Sequence, residues 1–293
     1  MFEGTHTALV TPFTPDNTVD YDAFGKIIDS QFENGIAGIV PVGTTGESPT
    51  VSAAEHVEII RKAVEFANGR GPIIAGTGAN STSEAIELVQ AAEKAGATGL
   101  LQVAPYYNKP SQRGLFAHFK AVAESTSLPI MLYSIPGRCG IQIDVETTAK
   151  LHESCPNICA MKEAGGEVQR VKDLRAALPE KFEVLSGDDA LTVDFMDAGA
   201  VGVVSVAGNL VPKVMSDLTG AMLAGRRDEA VNILDGYQPL FEAFLKLDTN
   251  PVPIKEAMAL AGHCSADVRL PMIGMEAAGI ESLRATLTKL GIL

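Results

Sequence analysis

The run Ile158-Cys159-Ala160-Met161-Lys162-Glu163-Ala164 sets a lysine at the end of a short apolar stretch, just before Gly165-Gly166. The run is too short for a helix and predicts a strand buried on both faces. A lysine at the C-terminal end of such a strand is poorly solvated. Loss of water disfavours its ammonium form and lowers its pKa, so more of it is free amine at neutral pH. A free amine attacks a carbonyl carbon and forms a Schiff base. Lys162 could instead turn to solvent or pair with Glu163, as lysines at strand ends usually do.

Other groups could share a site with it. Gly43-Thr44-Thr45-Gly46-Glu47 gathers two hydroxyls and several backbone N–H groups in one turn. Such donors satisfy carboxylate oxygens without a cation. An ordinary glycine turn reads the same way. No lysine follows in the spacing of a phosphate-binding loop, which disfavours phosphate. Pro105-Tyr106-Tyr107-Asn108-Lys109-Pro110 places two adjacent tyrosines between two prolines, in a chain with five tyrosines and no tryptophan. One can point inward and the other outward, and simple packing is an equal reading. In the run 129–134, Met131 and Tyr133 share a face by period two. If that face points inward, the Tyr133 phenol could shuttle protons. Arg138 follows on a Pro136-Gly137 loop and suits bidentate capture of a carboxylate, although a lone surface arginine is more often solvated. Val204, in Val203-Val204-Ser205-Val206, is placed to wall a pocket beside Lys162. Asp188 and Asp189, after Ser186-Gly187, fit better as caps of the next helix.

These groups sit on short apolar runs that alternate with helical patterns. Strands are expected at 5–11, 38–43, 72–76, 99–104, 129–134, 158–164, 182–187 and 201–207. Helices are expected at 20–36, 52–68, 81–95, 112–126, 145–154, 167–178, 188–198 and 212–224. In the second of these, Val57, Ile60, Val64 and Ala67 form one apolar stripe. Ser52 with Glu55, and Ser81 with Glu84, match the capping box. Gly35, Gly96 and Gly199 suit the left-handed position that ends a helix, and Gly38, Gly99 and Gly202 a tight turn into the next strand. Eight β-α repeats predict a (β/α)8 TIM barrel, with the reactive groups at the strand C-termini. An open doubly wound sheet is the alternative, but no G-x-G-x-x-G follows the first strand. The barrel is expected over 1–225. A C-terminal helical appendix over 226–293 is expected to hold helices at 226–247, 253–263 and 276–290, broken by Asn250-Pro251-Val252-Pro253 and Leu270-Pro271.

With 46% hydrophobic and 20% charged residues among 293, the chain can bury a sizeable core. Its net charge of −13 argues against nucleic acid or an anionic membrane as partner. Cys139, Cys155, Cys159 and Cys264 make a poor metal pattern and read as free thiols of a reducing compartment. The start Met1-Phe2-Glu3-Gly4 has no signal-peptide pattern, and no apolar run reaches membrane-spanning length. A cytoplasmic location is expected.

Taken together, Gly43-Thr44-Thr45-Gly46-Glu47, Tyr133-Ser134-Ile135-Pro136-Gly137-Arg138 and Met161-Lys162-Glu163 resemble the signatures of the dihydrodipicolinate synthase / N-acetylneuraminate lyase family of class I pyruvate aldolases. The resemblance extends over nearly the whole chain, and Arg138 with Tyr106-Tyr107 points to its synthase branch. It implies condensation of pyruvate with aspartate semialdehyde in the diaminopimelate route to lysine. It assigns the Schiff base to Lys162 and proton transfer to Tyr133, relayed by Thr44 and by Tyr107 from a neighbouring subunit. Thr45 would hold the pyruvate carboxylate, Val204 and Gly187 would belong to the substrate pocket, and Arg138 would bind the semialdehyde carboxylate. No metal or organic cofactor is implied. A homotetramer, as a dimer of dimers, is. Members inhibited by L-lysine bind it at the tight-dimer interface, and Ser48, Pro49, His56, Asn80, Glu84 and Tyr106 match that site. Glu84 could instead serve its capping box, and His56 could merely pack on its helix. Ser134 stands where the family usually has Asn, and Ala160-Met161 where Gly-Ile is common. Ser134 should point away from the chemistry. An aldolase for sugar acids such as N-acetylneuraminate, or a non-catalytic sensor of pyruvate or lysine, are the competing readings. A sensor would not need Lys162, Tyr133 and Thr44 together.

Overall fold

The computed structural model describes residues 2–293. Eight strands form the centre: β1 (Gly4–Ala8), β2 (Gly38–Val40), β3 (Ile74–Gly76), β4 (Gly99–Val103), β5 (Ile130–Ser134), β6 (Ile158–Glu163), β7 (Glu183–Ser186) and β8 (Gly202–Ser205). All pair in parallel, in the order β2-β1-β8-β7-β6-β5-β4-β3. A parallel bridge from Ile39 to Ile73 brings the two end strands together. This is a TIM barrel, as the alternation predicts.

Around it lie α1 (Tyr21–Glu33), α2 (Ala53–Ala67), α3 (Thr82–Lys94), α4 (Gln112–Ala123), α5 (Pro136–Cys139), α6 (Val145–Ser154), α7 (Val168–Ala177), α8 (Thr192–Asp197) and α9 (Pro212–Leu223). Then follow α10 (Arg227–Lys246), α11 (Val252–Leu260) and α12 (Ala277–Lys289). The four-residue α5 carries Arg138 and has no counterpart in the expected elements; it is too short to show periodicity. Several strands end earlier than expected. β2 stops at Val40 because the backbone at Val42 turns left-handed, with φ 49°.

Strand parity divides the core in two. Leu100, Leu132, Met161 and Val184 face the helices. Leu101, Met131, Tyr133, Ala160, Leu185 and Val204 fill the barrel interior. Tyr133 therefore points inward, and Lys162, two residues after the inward Ala160, shares its side. Glu163 and Ser134 face the helix layer, where Ser134 Oγ meets the Ile143 N–H at 3.4 Å.

The Ser52–Glu55 capping box is formed in both directions. The Ser81–Glu84 box is not. Ser81 makes no cap hydrogen bond, and its hydroxyl lies 3.0 Å from that of Ser83. Gly35, Gly96 and Gly199 do take positive φ after their helices. Gly202, the second glycine of the last repeat, has another reason than a turn. A Cβ on Gly202 would lie 1.9 Å from Gly4 O, so two neighbouring strands approach too closely there for any side chain. Among the described residues, no helix is long and apolar enough to cross a membrane.

Candidate active site

β5 and β6 pair with Tyr133 opposite Lys162, so parallel register sets the phenol beside the amine at the strand C-termini. Lys162 Nζ lies 4.3 Å from the centre of the Tyr133 ring. Lys162 is 5% exposed and Tyr133 4%. Burial lowers the lysine to about 8; Asp189 works against this shift, and the charge of Arg138 adds to it. Burial pushes Tyr133 up to about 12, offset by its hydrogen bond with Thr44 and by Arg138. The buried pair is thus a lysine that keeps its proton in most molecules at pH 7 but gives it up about one pH unit higher, beside a phenol that keeps its own.

Lys162 neither escapes to water nor pairs with Glu163. Glu163 lies on the other side of β6, where Oε2 receives Arg170 Nε at 2.6 Å and Oε1 receives the Gly165 N–H at 2.7 Å. Both partners of this ion pair are buried. It occupies the acid that would otherwise be the nearest counter-ion in sequence.

A cavity of about 170 Å³ opens over Lys162 and is lined by Tyr133, Thr44, Thr45, Arg138 and Gly187. Two of the cavity's walls come from residues that sequence reasoning leaves out. Asn250, expected only as part of a helix break, donates from Nδ2 to Thr45 Oγ1 (3.2 Å) and accepts Arg138 Nη2 on its carbonyl (3.1 Å). One residue so links the groups suited to two different carboxylates. Val206 lines the cavity at the end of β8, while Val204 is wholly buried inside the barrel below.

Asp188 caps as expected, accepting the Ala190 N–H at 2.9 Å. Asp189 does not. Its Oδ2 accepts from the Val206 and Ala207 N–H groups at 3.1 and 2.9 Å, tying the ends of β7 and β8 together. Burial pushes Asp189 up to about 6, against the pull of Ser205 and these two donors.

Tyr107 is not part of this cavity. It is 89% exposed, with φ 72°, and stands clear of its own chain. Tyr106 turns in the opposite sense and is partly buried. With Ser48, Pro49, His56 and Glu84 it lines a groove of about 370 Å³. Asn80 sits at its edge, donating to Tyr106 O at 3.2 Å. His56 Nε2 lies 2.8 Å from Gly76 O, and burial lowers its pKa, so the ring is neutral. With its capping box unformed, Glu84 is free to serve this groove, which Glu87 also lines. A further cavity of about 380 Å³ between α1, the start of α9 and α11 contains none of these groups. Among the described residues, no cluster of three or more His, Cys, Asp or Glu could hold a metal.

Comparison with known proteins gives a consistent family. The model of the dihydrodipicolinate synthetase family matches residues 1–290. The chain is 45% identical over 293 residues to 4-hydroxy-tetrahydrodipicolinate synthase of Endomicrobium trichonymphae, covering all of both chains. The solved 4-hydroxy-tetrahydrodipicolinate synthase of Methylacidiphilum fumariolicum SolV superposes with a TM-score of 0.97 at 49% identity, over 99% of this chain and 96% of that one. The synthase of Cyanidioschyzon merolae, solved with lysine bound, gives 0.96 at 41% identity, over 100% and 99%.

Proposed function

The chain belongs to the dihydrodipicolinate synthetase family, and on that footing we propose that it condenses pyruvate with L-aspartate 4-semialdehyde to 4-hydroxy-tetrahydrodipicolinate. The observation that supports this most is the desolvated Lys162 amine against the Tyr133 ring, with Thr44 bonded to the phenol. The reaction class is that of a lyase in the diaminopimelate route to lysine.

Lys162 Nζ attacks the keto carbon of pyruvate, and loss of water leaves the iminium. The positive nitrogen draws electrons from the methyl group, which loses a proton to give the enamine. The enamine carbon bonds to the aldehyde carbon of the second substrate, whose oxygen takes up a proton as a hydroxyl. The substrate's own amine then attacks the iminium carbon, closes the ring and expels Lys162 as free amine. The balance is one water released for each product formed.

Several of these steps move a proton, and Tyr133 is the group within reach. Thr44 passes that proton onward, with Tyr107 of the partner subunit completing the relay. The exposed Tyr107 and its left-handed backbone suit a residue that serves a neighbouring copy, in a homotetramer built as a dimer of dimers. Thr45 receives the pyruvate carboxylate. Arg138, held by Asn250 O, receives that of the semialdehyde and makes the encounter local. Gly187 belongs to the substrate pocket, and Val204 packs in the barrel beneath it.

A coupled assay with pyruvate, aspartate semialdehyde and a reductase for the product tests the reading. Turnover is expected with this pair, and turnover only with N-acetylneuraminate or 2-keto-3-deoxygluconate would overturn it. In the same assay, Arg138→Ala is expected to raise the semialdehyde KM by about 10- to 100-fold, the value of a charged hydrogen bond, with pyruvate capture intact. An unchanged KM would remove Arg138 from its role.

L-Lysine is the proposed inhibitor, bound in the groove of Ser48, Pro49, His56, Asn80, Glu84 and Tyr106. Glu84 meets its ammonium; the neutral His56 and Asn80 add polar contacts. Millimolar lysine is expected to lower the rate, and Glu84→Gln to weaken that inhibition about tenfold by loss of one charged contact. A flat titration of the unmodified enzyme counts against the site.

A further inference from the structure

The turn that carries Thr44 and Thr45 has a backbone its sequence does not favour. Val42 has φ 49° and Glu47 φ 56°. Left-handed residues other than glycine persist only where their surroundings over-determine them. Within the turn, the Glu47 N–H donates to Thr44 O at 3.1 Å and the Ser48 N–H to Gly43 O at 3.2 Å. Such bonds are local. From outside, the Thr11 hydroxyl donates to Gly46 O at 2.7 Å and Asn250 reaches Thr45; the buried charged restraint is the Glu47 side chain.

Glu47 Oε1 receives Lys255 Nζ at 2.6 Å, and Oε2 receives the Arg269 backbone N–H at 3.0 Å. The lysine side chain is 0% exposed and the glutamate 1%. Lys255 Nζ also lies 4.1 Å from the centre of the Phe13 ring, which the Arg269 guanidinium meets at 4.2 Å. Neither Glu47 nor Lys255 lines the cavity over Lys162. A buried ion pair gains little net stability, because desolvation offsets the attraction. Its place in this fold therefore calls for a reason other than stability. Lys255 stands on α11, and Asn250 lies in the loop just before that helix. One short segment thus holds Thr45 through Asn250 and Glu47 through Lys255.

We infer that the Glu47–Lys255 ion pair positions the keto-acid pocket, fixing the Thr44–Thr45 turn so that both hydroxyls stand preformed before substrate arrives. Glu47 and Lys255 are positioning residues, acting through the threonines; this rests on the roles proposed above for Thr44 and Thr45. A preformed pocket spends none of its binding energy on ordering a loop.

The double variant Glu47→Gln/Lys255→Met removes both charges without leaving either one alone, so it separates position from stability. Its melting temperature is expected to stay near that of the unmodified protein. Its pyruvate KM is expected to rise about tenfold, or about 1.4 kcal/mol, with kcat reduced less than about threefold. The amides of residues 44–50 are expected to exchange with deuterium about tenfold faster, reporting local opening. A folded double variant with an unchanged pyruvate KM and unchanged exchange would overturn the inference, because the pair would then only brace the fold. If the double variant fails to fold, Glu47→Gln alone, which keeps the shape and one of the two acceptors, is read by the same measurements. The exchange readout does not depend on the identity of the keto acid. Failure of the unmodified protein to form a pyruvate adduct would instead remove the functional reading.

Discussion

The Lys162→Met substitution is expected to lower kcat/KM in the coupled assay by about 10⁴-fold or more, the scale of loss when a covalent nucleophile is removed. Methionine keeps the length and apolar character of the stem, so packing against Tyr133 survives and the fold should not change. Nothing else in the cavity can replace the amine. The other buried lysine, Lys255, is held by Glu47. The pH dependence carries a second part of the same prediction. A lysine at its ordinary value is free amine in about one molecule in 3,000 at pH 7, whereas a value of about 8 makes it about one in ten. The deprotonated form is the nucleophile, so a lowered pKa enlarges the reactive share at neutral pH. Schiff-base formation should rise about tenfold per pH unit below about 8 and level off above it. A variant that keeps more than about a hundredth of the activity, or a profile still rising steeply at pH 9, would contradict this role.

Tyr133→Phe is expected to lower kcat by about 10²- to 10⁴-fold, the usual worth of a positioned general acid and base. Only an oxygen is lost, and the ring that packs against Lys162 stays. Burial holds the phenol near 12, so it is a proton donor at the working pH and accepts again only as it hands its own proton on. Its hydrogen bond with Thr44 gives that hand-over a direction. The rate should therefore fall while the melting temperature moves little, since one hydrogen bond is worth about 1 kcal/mol. Measured kcat within about tenfold of the unmodified enzyme would assign the proton transfers elsewhere.

The strands and the central pair were readable for one physical reason. Strands covered on both faces must be apolar throughout, so a lone lysine at the end of 158–164 stands out, and period two puts it on the same side as Tyr133 once their strands pair. Groups whose meaning lies in a distant partner were not readable. Glu47 and Lys255 are 208 residues apart in sequence, and Thr45 and Asn250 are 205 apart. Asp189 resembles a helix cap until the end of β8 is folded against it. Arg170 gives no local sign that it will occupy Glu163. Ser81 and Glu84 show the opposite failure: the spacing of a capping box is present, but the Ser81 hydroxyl turns to Ser83. Tyr107 stands clear of its own chain, so the fold of one copy gives it no partner that its sequence could have signalled.

The most direct test is to treat the protein with pyruvate and borohydride, digest it, and locate the added mass. The predicted result is one reduced pyruvate adduct per chain, on the peptide that contains Lys162, absent when pyruvate or borohydride is left out. No adduct, or an adduct on Lys255 or on a surface lysine in place of Lys162, would contradict the account.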